Sequence, residues 1–242
     1  MSAPPAGEAS ALIAMAEALR GLIDRFVATS APPELFAGLA AELRSVTGRL
    51  AGYQQDRLYR FGEASVSMAG VAGRRDGPDT DPAAMIGQRR AAAVDHSPVQ
   101  GAANPLAPPL RLTFEPRRVI GRVRFGRAYE GPPGCVHGGF VAAAFDEVLG
   151  AAQWLTPDPV PAMTGRLTVH YRSPSPLETE LRLEAELDRV DGRKRVVTGR
   201  MLHGDVLCAD AEALYVAVPV ERFAGLLAAD AARKADDGRR AP

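Results

Sequence analysis

Apolar residues recur at helical spacing in two segments near the N-terminus. Residues 10–28 carry an apolar side chain at every third or fourth position, and residues 34–50 repeat this stripe. Pro32 and Pro33 stand between the stripes, where a helix can begin but cannot continue. The pattern predicts a helical hairpin within residues 1–60. Its expected role is structural or dimer-supporting, with regulation or partner binding as the alternative.

The periodicity fades after the hairpin and returns as strand-like alternation after Pro109. Gly, Pro, Asp and Ala dominate residues 61–108, which we predict to be a linker or an extended wrapping segment. Beyond it, alternating apolar and polar positions predict six strands. These are residues 110–114, 119–125, 162–171, 179–190, 195–202 and 206–218.

One alanine-rich apolar run, residues 140–155, interrupts the strands and predicts a long helix. Asp191-Gly192 between two later strands predicts a hairpin turn. Two strands, one helix and four antiparallel strands make an α+β fold in residues 109–220, with the helix across a curved sheet. Residues 221–242 are a predicted tail. Because one helix leaves a sheet face or edge uncovered, we expect oligomerisation.

Charge and cysteine content narrow the classes of partner. Lys plus Arg and Asp plus Glu number 29 each, so the net charge is zero and offers no global attraction for nucleic acid. Two cysteines favour a reduced intracellular protein. No apolar run is long enough for a membrane span. We expect a cytoplasmic protein with no nucleic-acid partner and no membrane span.

The motifs of several common enzyme classes are missing from the sequence. It contains no G-x-S-x-G elbow, no Walker phosphate loop and no G-x-G-x-x-G fingerprint. Its four histidines show no metal-ligand spacing with one another or with the cysteines. We therefore predict no metal and no cofactor. Cys135, two residues before His137, is expected to be a small packed residue rather than a nucleophile.

The stretch GPPGCVHGGFVAAAFDEVLG, residues 131–150, combines glycines, a helix start and a carboxylate. Unpaired N–H groups at a helix N-terminus favour an oxygen with negative charge, and Gly138 and Gly139 would let that oxygen approach. Asp146 follows about two helical turns later on a face of small residues, where burial would suit it to basic or nucleophilic work. Glu147 points elsewhere and is an expected bystander. Spacing alone leaves a solvated helix edge as the alternative.

The same stretch resembles a known signature. VHGGFVAAAFDEVLG is similar to the motif of hotdog-fold acyl-CoA thioesterases of the PaaI-like and thioesterase-superfamily type. In that family the catalytic aspartate stands nine positions after the histidine of His-Gly-Gly. Here 146 − 137 = 9, so the resemblance places the catalytic carboxylate at Asp146.

A downstream segment extends the resemblance to about residues 109–218. MTGRLTVHYRSPSPLETEL resembles the strand that supplies a catalytic Ser or Thr in the family. Matching its Y-x-S-P ending, at residues 171–174, puts Thr164 at the hydroxyl position. The resemblance implies a sheet of five or six strands wrapped around one helix. It also implies a homodimer, possibly a tetramer, with Asp146 of one chain facing the His-Gly-Gly turn of the other.

The resemblance also implies roles for individual residues. The Gly138 N–H would polarise the thioester carbonyl, and Asp146 would act as general base or nucleophile. Thr164 would orient the water or the aspartate, and His137 would shape the turn and hydrogen-bond near the thioester. Gly131 is a departure, since some members carry Asn or Gln about six residues before the histidine. The second polar contact to the carbonyl is therefore in question.

The implied substrate is an acyl-coenzyme A, with coenzyme A part of the substrate. Its phosphates could meet Arg193, Lys194 and Arg195 after the predicted turn, unless that turn is merely a solvated tip. Gly139 is a further predicted substrate contact, and Arg166 and Arg172 are weaker phosphate candidates. A hotdog hydratase or dehydratase is the alternative enzyme. A non-catalytic acyl-CoA-binding or scaffold protein, with the hairpin as its interaction module, is the alternative of another class.

Overall fold

The computed structural model describes residues 6–53, 97–156, 160 and 162–218. Its elements in chain order are α1 (Ala6–Phe26), α2 (Pro33–Ala51), β1 (Arg111–Phe114), β2 (Arg118–Arg124), a 3-10 turn (Arg127–Tyr129), α3 (Gly138–Ala152), β3 (Ala162–Tyr171), β4 (Glu180–Asp191), β5 (Lys194–His203) and β6 (Val206–Ala217). Residues 61–96 of the predicted linker and the predicted tail, residues 221–242, lie outside the described part of the chain.

The strands form one six-stranded antiparallel sheet in the order β1-β2-β4-β5-β6-β3. All six predicted strands are present, and the observed end of each strand lies within one residue of the predicted end. The β4–β5 turn holds Gly192 at φ 54°, a left-handed conformation that glycine adopts without steric cost. Among the described strands β3 pairs only with β6, so β3 is an edge of the sheet.

Helix α3 packs along one face of the curved sheet and supplies much of the core. Phe145 and Leu149 are fully buried there, and each such side chain stabilises the fold by about 1.5–3 kcal/mol. The sheet admits the helix closely because a Cβ on Gly121 would lie 2.8 Å from Val148 Cγ2, and one on Gly199 would lie 3.0 Å from Leu149 Cδ2. A curved antiparallel sheet around one helix is the hotdog arrangement, so the predicted α+β fold is confirmed.

The N-terminal residues form a helical hairpin, as the two apolar stripes predicted. Pro33 occupies the first turn of α2, where its missing N–H costs nothing. Phe26 and Phe36 meet edge to face across the hairpin, with ring centroids 5.9 Å apart. Helix α2 contains no buried residue. None of the helices in the described ranges is long and apolar enough to cross a membrane.

Two polar side chains of α1 fasten the hairpin to the rest of the chain. Arg20 Nη1 donates to the carbonyl oxygens of Ala102 at 3.1 Å and Asn104 at 2.9 Å. Asp24 Oδ1 accepts a hydrogen bond from the Ala128 N–H at 3.1 Å. The hairpin is therefore attached by directional bonds to the segment before β1 and to the 3-10 turn.

Residues 97–109 lie against α3 in a series of turns, and Glu147 holds them there. Ser97 Oγ donates to Glu147 Oε1 at 3.2 Å, and Gln100 Nε2 donates to Glu147 Oε2. Ser97 and Gln100 are both buried. Glu147, expected to be a bystander, therefore has a structural role. Spacing could not reveal it, because its partners are 47 and 50 residues away along the chain.

Candidate active site

His137 is the N-cap of α3, and its imidazole caps the helix. Its Nδ1 atom accepts a hydrogen bond from the Gly139 N–H at 3.0 Å. Because an amide N–H can only donate, the proton of the neutral imidazole resides on Nε2. The side chain is exposed, and no described residue hydrogen-bonds to Nε2. The ring therefore presents an N–H donor at the start of α3.

Gly139, the further predicted substrate contact, lies beside the His137 imidazole. Its N–H is the donor that His137 Nδ1 accepts, so that group is engaged within the chain. A Cβ on Gly139 would lie 3.1 Å from the same nitrogen. The glycine at this position leaves room for the capping imidazole, and the predicted substrate contact at Gly139 stays a prediction that would have to use atoms other than its N–H.

The Gly138 N–H is the first amide of α3. No acceptor for it occurs within the described part of the chain. Gly138 is half-buried, and a Cβ there would lie 3.2 Å from the Cζ and Oη atoms of Tyr171. A side chain at position 138 would displace the tyrosine ring. The predicted oxyanion donor is thus a helix N-terminal N–H with no acceptor among the described residues, and an oxyanion donor needs such an unengaged N–H.

Tyr171 is a residue of this site for which no role was predicted. Its hydroxyl donates to the Gly138 carbonyl oxygen at 2.8 Å, and the side chain is 57% exposed. As the last residue of β3, it reaches the N-terminus of α3 from the edge of the sheet. The Y-x-S-P ending marked its position, but nothing in that motif indicated a contact with the helix start.

Backbone hydrogen bonds hold the loop before His137 from both sides. The Gly131 N–H donates to the Cys135 carbonyl at 2.9 Å, which closes the loop on itself. The Val136 N–H donates to the Ser175 carbonyl at 2.8 Å, which joins the loop to the segment after β3. The imidazole therefore stands on a backbone with little freedom to move.

The departure at Gly131 has a structural reason in this loop. A Cβ on Gly131 would lie 2.7 Å from the Cα atom of His137, which is backbone and cannot swing aside. An Asn or Gln at this position would require a different loop path. The polar contact that some family members place here is absent, and the loop shape accounts for its absence.

Asp146 and Thr164 are in contact beside α3. Thr164 Oγ1 donates to Asp146 Oδ1 at 3.0 Å, and the Tyr215 hydroxyl donates to the Asp146 carbonyl oxygen at 3.2 Å. Thr164 and Tyr215 are cross-strand partners on β3 and β6, so their side chains point to the same sheet face. That face is the one that α3 covers. The two residues paired by the resemblance are therefore also paired in space.

The environment of Asp146 differs from the expected one. The face of α3 that carries Asp146 is lined by small, half-buried residues, as predicted: Ala142, Ala143 and Gly150. Asp146 itself is exposed, since nothing in the described residues covers its carboxylate. The expectation of burial is therefore wrong for the single chain.

The chain carries two half-sites that are far apart. Nine residues separate Asp146 from His137 (146 − 137 = 9), which is about 13 Å along a helix axis. No single carbonyl group could lie within hydrogen-bond distance of both. One half-site is Asp146 with Thr164. The other is His137 with Gly138 and Tyr171.

Arg195 is not the exposed phosphate contact that its position after the turn predicted. It is 3% exposed, and burial lowers the pKa of its guanidinium. Nη1 donates to the Val160 carbonyl at 3.0 Å and to the side-chain oxygen of Gln153. Arg195 pairs across the strands with Tyr215, so it faces α3 rather than solvent. The prediction is wrong for Arg195, which joins β5 to the residues after α3.

Arg193 and Lys194 remain exposed at the β4–β5 turn. Arg193 Nε also donates to the Ala217 carbonyl at 3.2 Å. Lys194 pairs with Val216, which pairs in turn with Met163, the neighbour of Thr164. Two strand spacings, about 10 Å, therefore separate this turn from the Asp146 half-site.

The other basic candidates are paired on the outer sheet face. Arg166 Nη2 lies 3.2 Å from Glu212 Oε1. Arg172 and His170 both bond to Asp210, and the Arg172 hydrogen bond is the largest influence that lowers the pKa of that carboxyl. In the described ranges, no group of three or more His, Cys, Asp or Glu residues could hold a metal ion.

Comparison with known proteins shows which family the region around this site is similar to. Residues 133–215 match the thioesterase superfamily profile. A crystal structure of a thioesterase superfamily protein is similar with a TM-score of 0.65 and 29% identity, over 85% of this chain and 94% of that one. The likeness therefore extends beyond the hotdog domain alone.

Two curated relatives are similar over a shorter region. Acyl-coenzyme A thioesterase THEM4 of Xenopus laevis is 32% identical over 102 residues, which are 41% of this chain and 45% of that protein. The Mus musculus protein of the same name is 30% identical over 108 residues, 44% of this chain and 46% of that one. The chain thus spans a little under half the length of these relatives.

Proposed function

Because residues 133–215 match the thioesterase superfamily model and the fold is a hotdog, we propose that the protein hydrolyses acyl-coenzyme A thioesters. The products are a free acid and coenzyme A. The observation that carries the proposal is the hydrogen bond from Thr164 to Asp146, which orients a carboxylate beside α3. The similarity to two acyl-coenzyme A thioesterases supports the same substrate class.

Asp146 supplies the carboxylate for the reaction. As a general base it removes a proton from water, the resulting hydroxide adds to the thioester carbon, and the C–S bond breaks. The departing thiolate then takes the proton that Asp146 received. As a nucleophile, Asp146 would instead form an anhydride that water hydrolyses in a second step. In both routes Thr164 holds Oδ1, which leaves Oδ2 directed at the water or the carbonyl carbon.

The start of α3 supplies donors for the developing negative charge on the carbonyl oxygen. The Gly138 N–H has no partner in the described chain and carries the partial positive charge of a helix N-terminus. The Nε2–H of His137 is the second available donor, because Nδ1 is occupied by Gly139. Each such donor is worth about 10²–10³ in rate.

A homodimer is needed to join the half-sites. The His137 turn and Asp146 are about 13 Å apart along α3, so a carbonyl held by one chain's turn requires the carboxylate of another chain. Strand β3 offers the means of pairing, because it is an edge strand of ten residues in which seven are exposed. An exposed edge of this length favours pairing with another strand.

The register of such pairing supports the shared site. Thr164 and Tyr171 lie near opposite ends of β3, since Thr164 is its third residue and Tyr171 its last. Two β3 strands paired antiparallel about a point between Leu167 and Thr168 would place Thr164 opposite the tyrosine of the second copy. Asp146 would then face the second copy's helix start. Each dimer would contain two equivalent sites.

The exposed turn between β4 and β5 is proposed to meet the coenzyme A phosphates. Arg193 and Lys194 carry the charge, and the turn lies about 10 Å from the Asp146 half-site. Coenzyme A has a pantetheine arm between its thiol and its phosphates, so such a separation suits it. The buried Arg195 is not included.

The test is free-thiol release from a panel of acyl-coenzyme A substrates, from short aliphatic to long-chain plus one aryl thioester. We expect turnover in the wild type and a loss of at least about a hundredfold in Asp146→Asn. Asp205→Asn, the same substitution in the exposed β5–β6 turn, is the matched control and should leave turnover unchanged. The substrate that the wild type hydrolyses fastest identifies the preferred acyl group.

Other outcomes point to the other functions. Undiminished release by Asp146→Asn would remove Asp146 from the mechanism. Loss of enoyl absorbance without thiol release would favour a hydratase. Saturable binding of acyl-coenzyme A, with neither reaction, would favour a binding protein.

A further inference from the structure

We propose that Tyr171 is a positioning residue that sets the orientation and the proton position of the His137 imidazole through one peptide group of α3. The proposal rests on the proposed function, since it assigns the Nε2–H of His137 as a donor in the site. It concerns a residue that the mechanism above does not use.

The path from the tyrosine to the imidazole is continuous. The Tyr171 hydroxyl donates to the Gly138 carbonyl oxygen at 2.8 Å. The amide N–H of that same peptide group belongs to Gly139, and it donates to His137 Nδ1 at 3.0 Å. A hydrogen bond accepted at the carbonyl polarises a peptide group and strengthens its N–H as a donor. The hydroxyl therefore reinforces the bond that holds Nδ1 as an acceptor.

Packing reinforces the hydrogen bonds. The Tyr171 ring lies over Gly138, close enough that a Cβ there would be 3.2 Å from Cζ and Oη. On the other side, a Cβ on Gly139 would be 3.1 Å from His137 Nδ1. The peptide between the two glycines thus lies between the phenol and the imidazole.

Both half-sites also depend on the same strand. Strand β3 contacts α3 through Thr164 at Asp146 and through Tyr171 at Gly138. One contact orients the carboxylate, and the other orients the helix start. Because both contacts come from β3, the bond from the exposed Tyr171 to a backbone carbonyl of α3 has a reason: it fixes the helix start relative to the same strand that orients the carboxylate.

The kinetic test is Tyr171→Phe, which removes the hydroxyl and keeps the ring. We expect kcat to fall by about three- to tenfold, the loss of one net hydrogen bond, with little change in KM. Tyr53→Phe, at an exposed tyrosine of the hairpin, is the control and should change neither constant. An unchanged kcat in Tyr171→Phe would overturn the proposal.

A double-mutant cycle separates positioning from general stabilisation. If Tyr171 acts through the imidazole, Tyr171→Phe should have almost no further effect in a His137→Gln background, because the group it positions is gone. In an Arg193→Gln background, where the change lies at the exposed β4–β5 turn away from both half-sites, Tyr171→Phe should keep its full effect on kcat. An equal loss in both backgrounds would contradict the proposed route.

The position of the imidazole proton gives a readout that does not need turnover. Nitrogen-15 spectra of the histidine side chains should show His137 protonated on Nε2 in the wild type and a mixture of both ring forms in Tyr171→Phe. Identical spectra for the two proteins would refute the relay. If the wild type hydrolyses no thioester, the proposed function fails, yet these spectra still decide whether Tyr171 controls the imidazole.

Discussion

The hydroxyl of Thr164 donates to Asp146 Oδ1 at 3.0 Å, across 18 residues of sequence. This bond joins the edge strand to the helix at the point where the candidate catalytic carboxylate emerges. Tyr215 fixes the backbone at the same place through the Asp146 carbonyl. The carboxylate is therefore oriented in the single chain, while the proposed donors for the carbonyl oxygen lie at the start of α3.

Removing the Thr164 hydroxyl should lower catalysis without unfolding the protein. We expect Thr164→Val to reduce kcat about tenfold, because Asp146 loses the donor that fixes its rotamer. Thr164→Ser keeps a hydroxyl and should retain most of the activity. Steady-state thiol release measures both. Equal rates for Thr164→Val and the wild type would show that the bond has no catalytic role.

Mixing two inactive variants tests whether the site is shared between chains. Asp146→Asn and His137→Gln should each be strongly impaired alone. After denaturation and joint refolding, half of the dimers are mixed and each contains one intact site, so activity should return to about a quarter of the wild-type value. The control is the same treatment of each variant alone. No recovery in a preparation that contains mixed dimers would place the whole site within one chain.

Most of the fold could be predicted because its signals are local. Alternation of apolar and polar residues located every strand to within one residue, and Pro33 and Asp191-Gly192 located a helix start and a turn. The Asp146–Thr164 pair came from the resemblance, and the contact between their side chains agrees with it. Each of these features is contained in a short stretch of sequence.

The remaining features depend on contacts between distant segments. Arg195 looked like part of an exposed basic tip, but the pairing register turns it toward α3 and buries it. Gly139 looked available, but the imidazole beside it takes its N–H. Tyr171 meets Gly138 across 33 residues. Periodicity gives the face of a residue within its own element, yet it does not give the neighbour that faces it.

Adding a side chain at Gly131 should damage the site. In Gly131→Ala the new Cβ would lie 2.7 Å from His137 Cα, so the loop must move and carry the imidazole with it. We expect kcat to fall at least about tenfold, since small displacements of catalytic groups have large effects. Gly48→Ala, in open space on α2, is the matched control and should stabilise that helix by about 0.5–1 kcal/mol. Similar kinetics for the two variants would contradict the loop's role.

The three basic residues after the β4–β5 turn should respond differently to substitution. Neutralising Arg193 and Lys194 together should raise KM for acyl-coenzyme A, and the increase should shrink at high salt. Arg195→Met should instead lower the free energy of unfolding by about 2–4 kcal/mol, because the buried carbonyls of Gln153 and Val160 lose their donor. Kinetics and urea unfolding of both variants distinguish these effects. A KM increase confined to Arg195→Met would reverse the assignment.

Glu184 should make stability depend on acid pH. Its carboxylate is almost fully buried on the sheet and bonds to Arg182 and, at 2.7 Å, to Arg200 Nε. Burial alone would raise the pKa of Glu184, but the Arg200 hydrogen bond and the two arginine charges together lower it below its usual value of 4.5. A carboxylate with a lowered folded-state pKa stabilises the fold above the unfolded-state pKa. That contribution is lost as the pH falls through the folded-state pKa.

Glu184→Gln should therefore be less stable than the wild type by about 1–3 kcal/mol at pH 7, because two arginines lose a buried charged partner. The difference should diminish as the pH falls below 4.5, where the wild-type carboxylate itself becomes neutral. Glu212→Gln, which disrupts the more exposed pair with Arg166, is the control and should cost less than about 1 kcal/mol. Urea unfolding at pH 7 and at acid pH measures the difference in the free energy of unfolding between Glu184→Gln and the wild type. If this difference in stability grew on acidification, Glu184 would be held neutral in the fold, which would contradict the lowered pKa expected from its arginine partners.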